Sequence, residues 1–137
     1  MANEAVIIEL LGSNKGEPVN FIVSGQTTVE KGTIMIHDIA VERGAVHSKA
    51  ADGTFAGIAA AENKSGLTIA LYTKGIFDCV VQVDPADTVN AGDELVLSGA
   101  NILTKYKTLD DEKGYVVGRA MKTITADETI TVAVGMY

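Results

Sequence analysis

The sequence has no tryptophan, one cysteine (Cys79) and only 5% aromatic residues in a chain of 137. A single cysteine excludes an intrachain disulfide and any zinc site built on paired thiolates. With Asp78, Val80 and Val81 as neighbours, it reads as a buried, inert thiol. Few aromatics mean that the core must be assembled from Val, Ile, Leu and Ala. Apolar residues make up 47% of the chain, enough for one globular domain and too many for a disordered one. Positive charge is scarce: 11 Lys and Arg stand against 18 Asp and Glu, a net charge of −7. The acidic residues are spread along the chain, apart from Asp110-Asp111-Glu112. Such a surface is unsuited to a nucleic-acid backbone or an anionic membrane, so neither is expected as a partner. No apolar run approaches a membrane span. Met1 to Glu4 lacks the basic start of a secretory leader, and the run from Ala5 to Leu11 stops at Gly12, so synthesis and retention in a cytoplasm are expected.

Catalytic and ligand-binding patterns are missing as well. His37 and His47 are the only histidines, without the spacing of a metal pair. Asp38, Glu42 and Asp52 lie near them in sequence, but a solvated turn explains the group. Ser24, Ser48, Ser65 and Ser98 sit in polar turns outside any nucleophile-elbow pattern. Asp110-Asp111-Glu112 lacks the alternating ligands of a calcium loop. Gly12-Ser13-Asn14-Lys15-Gly16 lacks the ending of a phosphate cradle and any helix to follow, so it reads as a hairpin turn. No enzyme, metal or cofactor is therefore expected.

What the chain does have is an internal echo. Val29-Glu30-Lys31-Gly32-Thr33-Ile34-Met35-Ile36 is answered by Val89-Asn90-Ala91-Gly92-Asp93-Glu94-Leu95-Val96-Leu97. Ala56-Gly57-Ile58-Ala59 is answered by Val117-Gly118-Arg119-Ala120, and Thr68-Ile69-Ala70-Leu71 by Thr129-Ile130-Thr131-Val132. Gly57 and Gly118 are 61 residues apart, as are Ile69 and Ile130. Equal offsets imply one small β unit used twice, each half burying the apolar face that the other cannot cover alone. The halves span about 25–75 and 85–137 within a single domain of 19–137.

Short strands bounded by Gly, Asn or Asp recur throughout. Val6 to Leu11, Phe21-Ile22-Val23, Ile34-Met35-Ile36, Ile39-Ala40-Val41, Leu67 to Tyr72, 76–83, 95–97 and Thr129 to Val134 are the apolar pieces. Pro18 suits a strand edge or start. Gly57 to Asn63 reads either as a short Ala-rich helix or as a strand entering a turn. No twelve-residue window shows helical periodicity with caps at both ends. The expected fold is all-β: a small pseudo-two-fold antiparallel barrel or sandwich with an N-terminal arm (1–18) or edge strand.

Two resemblances bear on function. Ala120-Met121-Lys122 resembles the lysine acceptor of biotinyl carrier domains, but Lys122 lies thirty residues past Gly92 and follows Gly118-Arg119. That departure leaves a binding or carrier module as the alternative. Gly75-Ile76-Phe77, Gly92-Asp93-Glu94-Leu95-Val96, Val117-Gly118-Arg119-Ala120 and Ile130 to Val134 occur in order, and over residues 20–137 the chain resembles a family of tailed-phage capsid decoration, or cement, proteins. Leu95-Val96-Leu97 departs from the aromatic often found there, and the pattern does not cover Met1 to Gly16. The resemblance implies a virion protein on the outside of an expanded shell, with the major capsid protein as partner, often as a homo-trimer, bracing the shell against packaged DNA. The residues expected to touch the shell are Val6, Ile7, Ile8, Glu9, Leu10 and Leu11, the most apolar β-prone stretch outside the repeat. An exposed strand of this kind needs a partner, which can be its own barrel, a neighbouring copy or a strand of the shell.

Overall fold

The computed structural model describes residues 4–10, 18–24, 28–48, 53–63, 68–107 and 116–135, with 7–10 described by their backbone. The first half carries β1 (Val6–Leu10), β2 (Val19–Val23), β3 (Ile34–Asp38), β4 (Gly44–His47), β5 (Phe55–Ala59) and β6 (Thr68–Tyr72). The second carries β7 (Gly75–Gln82), β8 (Glu94–Gly99), β9 (Ile102–Lys105), β10 (Val116–Ala120) and β11 (Glu128–Val134). No helix occurs among the described residues. The Ala-rich stretch after Gly57 is strand up to Ala59 and then turns. Ile39-Ala40-Val41 is the connection between β3 and β4 rather than a strand of its own.

Strands β2, β4, β3, β5 and β6 close into a barrel. Strands β7, β9, β8, β10 and β11 repeat that order, and the β7–β9 pairing joins the ends of their sheet into a second ring. A ring with an odd number of strands cannot alternate direction throughout, so each must contain a parallel pair. These pairs are β2–β4 and β7–β9, at matching positions. β1 is an added edge strand, antiparallel to β7.

The duplication extends to single residues. Phe21 opposite Ile69 corresponds to Cys79 opposite Ile130. Met35 faces Gly57 and His47 as Leu95 faces Gly118 and Lys105. The β3–β5 and β8–β10 ladders even slip at corresponding places, after Met35 and between Val116 and Gly118. The turns before β3 and β8 match too: Gly32 (φ +87°) donates its N–H to the Ala59 carbonyl at 2.8 Å, and Gly92 (φ +95°) to the Ala120 carbonyl at 2.7 Å. That backbone region is open to glycine and strained for other residues. Gly57 and Gly118 are required for a different reason: a Cβ would lie 2.8 Å from the Leu71 side chain and 2.2 Å from the Ala133 carbonyl oxygen, respectively.

Strand alternation explains how the halves join. Met35 points into the first barrel with Val23, Ala45, Ala56, Ile69 and Leu71. Its neighbours Ile34 and Ile36 point the other way, joining Ile58 in the core around Phe77, Leu95, Leu103, Val117 and Val132. β3 is therefore apolar on both faces, and each buried isoleucine contributes about 1.5–3 kcal/mol. Tyr72 and Phe77 add a tilted ring contact at 6.3 Å. A buried polar clasp crosses the same boundary. The Asn101 Oδ1 accepts from the Ile34 N–H at 2.8 Å, and the Asn101 N–H donates to Ser48 Oγ at 2.9 Å. Asn101 has φ +60°, which asparagine tolerates better than most residues.

Candidate interaction surface

The residues that looked chemically suggestive are engaged in the fold. His37 meets the Phe21 ring edge-on at 5.5 Å, and His47 Nδ1 lies 3.2 Å from the Ser48 carbonyl oxygen. Ser24 donates to the Ala45 carbonyl at 3.3 Å, and Ser98 pairs with Gln82 at 3.3 Å. Lys122 is ion-paired with Glu128 across the end of the β10–β11 connection. Burial pushes the Cys79 thiol up to about 12, with the Asp78 charge adding to the effect. Among the described residues no three of His, Cys, Asp and Glu gather as a metal site. Asp52, Ser65, the 12–16 turn and Asp110-Asp111-Glu112 lie outside the described residues.

Ion pairs tie down the loops of the second half. Lys105 Nζ sits 3.7 Å from Asp87, 3.5 Å from Asp93 and 3.1 Å from the Thr88 carbonyl oxygen. The Thr88 N–H, reinforced by Lys105 and Lys107, holds the Asp87 carboxyl below its ordinary value. Arg119 reaches both the Gly92 carbonyl at 2.8 Å and Glu94 at 3.3 Å.

β1 is fastened at its start: the Ala5 N–H donates to the Gly32 carbonyl at 2.6 Å, and Ala5 is buried. Glu4, Ala5, Val6, Lys31 and Gly32 line a cleft there. Along β1, Val6 faces Asp78, Ile7 faces Phe77, Glu9 faces Ile76 and Leu10 faces Gly75, with a slip between Ile7 and Glu9 that Ile8 occupies. Leu11 lies outside the described residues. β1 has β7 on one side and no strand on the other among the described residues. Val6 is 57% exposed.

The repeat shows what is unusual about this edge. Val19 and Asn20 stand in the first half where Phe77 and Asp78 stand in the second. No described strand covers them. Instead Pro18 removes a donor, and the Arg43 Nη2 donates to the Asn20 carbonyl at 2.6 Å. Proline and a charged side chain are common guards against edge pairing. In the second half the same edge is occupied by β1, which moves the open edge outward by one strand.

Exposed apolar side chains gather elsewhere too. Ile39 is 102% exposed, and Val19, Ile22 and Val41 are each about two-fifths exposed at the same end of the first barrel. As an apolar piece, Ile39-Ala40-Val41 reads in the sequence like its strand-forming neighbours. The nearby Asp38, Glu42 and Arg43 were the available signal that it is a loop.

A family model described as phage cement protein matches residues 13–136, which places β1 just ahead of the matched segment. No curated protein matches the chain.

Proposed function

The chain belongs to the phage cement protein family, a family of capsid-associated structural proteins, and we propose that it binds the outside of an expanded phage capsid and braces it against the pressure of packaged DNA. The open outer edge of β1 is the observation that carries the proposed contact. Two closed rings leave few bare backbone groups, so the outer edge of β1, uncovered among the described residues, is where another chain can add a strand. The contact residues on this reading are Val6, Ile7, Ile8, Glu9, Leu10 and Leu11. Strand addition saturates backbone donors and acceptors and buries alternate side chains, giving each copy a modest affinity that linkage of copies in one oligomer raises. Assembly as a homo-trimer on the shell is part of the same proposal, supported by apolar side chains such as Val6, Val19 and Met121 left at the surface.

Deletion of residues 2–11 tests the contact. If β1 is the docking strand, the shortened protein keeps a cooperative unfolding transition and no longer co-sediments with expanded shells. Loss of the folded state on deletion would make β1 essential to the fold and move the contact to the loops. Sedimentation and native mass measurements showing monomer in solution, together with monomeric density on shells, would reject the trimer.

A further inference from the structure

We infer that the β3–β4 loop carries an apolar anchor, Ile39, that docks into a hydrophobic pocket with a basic rim on the shell protein. This rests on the capsid-binding reading and adds to it a second contact, remote from β1. The repeat brings the loop into relief. Because the two halves match in strand order and register, their differences are additions rather than noise. β8 and β9 are joined by two residues, 100–101, and Asn101 of that turn is fully buried against the first half. The corresponding connection between β3 and β4 is five residues, 39–43, and turns outward.

The outward loop is built to hold its tip. Asp38 Oδ1 accepts from the Ala40 N–H at 2.9 Å, forming an Asx-type turn. The Val41 N–H donates to the Asp38 carbonyl at 3.3 Å, and the Gly44 N–H to the Val41 carbonyl at 2.9 Å. Arg43, at φ +57°, accepts from the Ile22 N–H at 2.8 Å through its carbonyl and spends its guanidinium on Asn20. Gly44 leaves room for Val41, since a Cβ there would come within 2.7 Å of the Val41 Cβ. All of this fixes a loop whose tip residue, Ile39, is fully exposed. Ile39 contributes no burial to its own fold, so the loop presents it preorganised, which limits the entropy lost when it enters a pocket.

Charge selects the occupant. Asp38 and Glu42 flank the tip, the exposed Arg43 directs its guanidinium at the Asn20 carbonyl, and the whole chain carries −7. Two such tips repel each other, which disfavours a second copy and favours a basic surface. Ile39 follows the last residue of β3, whereas Ala5 is held at Gly32 just before its first, so tip and edge strand are roughly 20 Å apart. One copy can therefore engage two separate points of the shell.

The experiment compares wild type, Ile39→Ser and Glu42→Lys in binding to expanded shells assembled from the major capsid protein of the same phage, with sedimentation velocity of each protein alone. The expected result is a loss of about 30-fold or more in affinity for Ile39→Ser, at an unchanged melting temperature. Glu42→Lys is expected to slow association and to flatten its dependence on salt. Wild-type affinity in Ile39→Ser, with wild type itself bound, overturns the anchor and leaves the capsid reading intact. A change in oligomeric state with shell affinity retained also overturns it, by making a second copy the occupant. Wild type failing to bind shells at all overturns the capsid reading, and the anchor with it.

Discussion

Replacing Asn101 with alanine isolates the clasp between the two halves. The side chain is fully buried, and its Oδ1 accepts from the buried Ile34 N–H at 2.8 Å. Truncation leaves that donor unsatisfied, which costs about 1–3 kcal/mol. Alanine at φ +60° adds about 1–2 kcal/mol of left-handed strain that asparagine largely avoids. The sum, about 3 kcal/mol, corresponds to a fall of roughly 10 °C in melting temperature for a chain of this size. Asn101→Gly separates the two causes, because glycine removes the carboxamide without the strain. It is expected to fall between wild type and Asn101→Ala. Urea unfolding is the assay, with the midpoint shifting and the slope preserved if the transition stays two-state. A midpoint for Asn101→Ala within about 0.5 kcal/mol of wild type would refute the clasp. A shallower slope or two transitions would show instead that the halves unfold separately without it.

Four further outcomes are expected. Thr33→Val should stabilise the protein by about 1 kcal/mol in the same assay, because the fully buried Thr33 hydroxyl has no hydrogen-bond partner among the described residues; destabilisation would show that the hydroxyl is satisfied. Gly118→Ala should cost about 3 kcal/mol or more, since a Cβ meets the Ala133 carbonyl at 2.2 Å, whereas Gly92→Ala, with nothing within 4 Å, should cost only the left-handed strain of about 1–2 kcal/mol; equal losses would contradict the difference in crowding. Cys79 should resist thiol reagents at pH 8 in the native protein and react on unfolding, and because its folded value of about 12 exceeds the unfolded one, stability should decline as pH rises above about 9. Asp87 is held below 3.8, so its contribution is present above that pH and lost as pH falls through the lowered folded value; Asp87→Asn should flatten the acid limb of the stability profile.

Much of the architecture was legible because the repeat left its punctuation at fixed offsets. Gly32 and Gly92 need left-handed backbone, and Gly57 and Gly118 need the absence of a Cβ, so neither pair could drift without breaking a turn or a ladder. Alternation located the buried face of β6, where Ile69 and Leu71 are both buried. Alternation could not show that β3 is apolar on two faces because it serves two cores. Nor could it show which strand β1 adds to, since partner choice depends on which edge remains open after both rings close. The Asn101 clasp was equally hidden. It joins residues 67 apart, and an asparagine in a turn looks the same whether it faces solvent or a neighbouring barrel. For the candidate surface, the apolar stretch beginning at Val6 was visible in the sequence. The exposure of Ile39 was not, because an isoleucine between two short strands reads as core until the loop is seen to turn away.

The capsid role is tested most directly by heating expanded, DNA-packed shells with and without the bound protein while imaging the bound state by electron cryo-microscopy. The expected result is density on the outer surface, with β1 or the Ile39 loop against the shell, and a higher temperature of shell rupture and DNA release when the sites are filled. Saturating occupancy that leaves the rupture temperature unchanged, or no density on the shell at all, would contradict a cementing role.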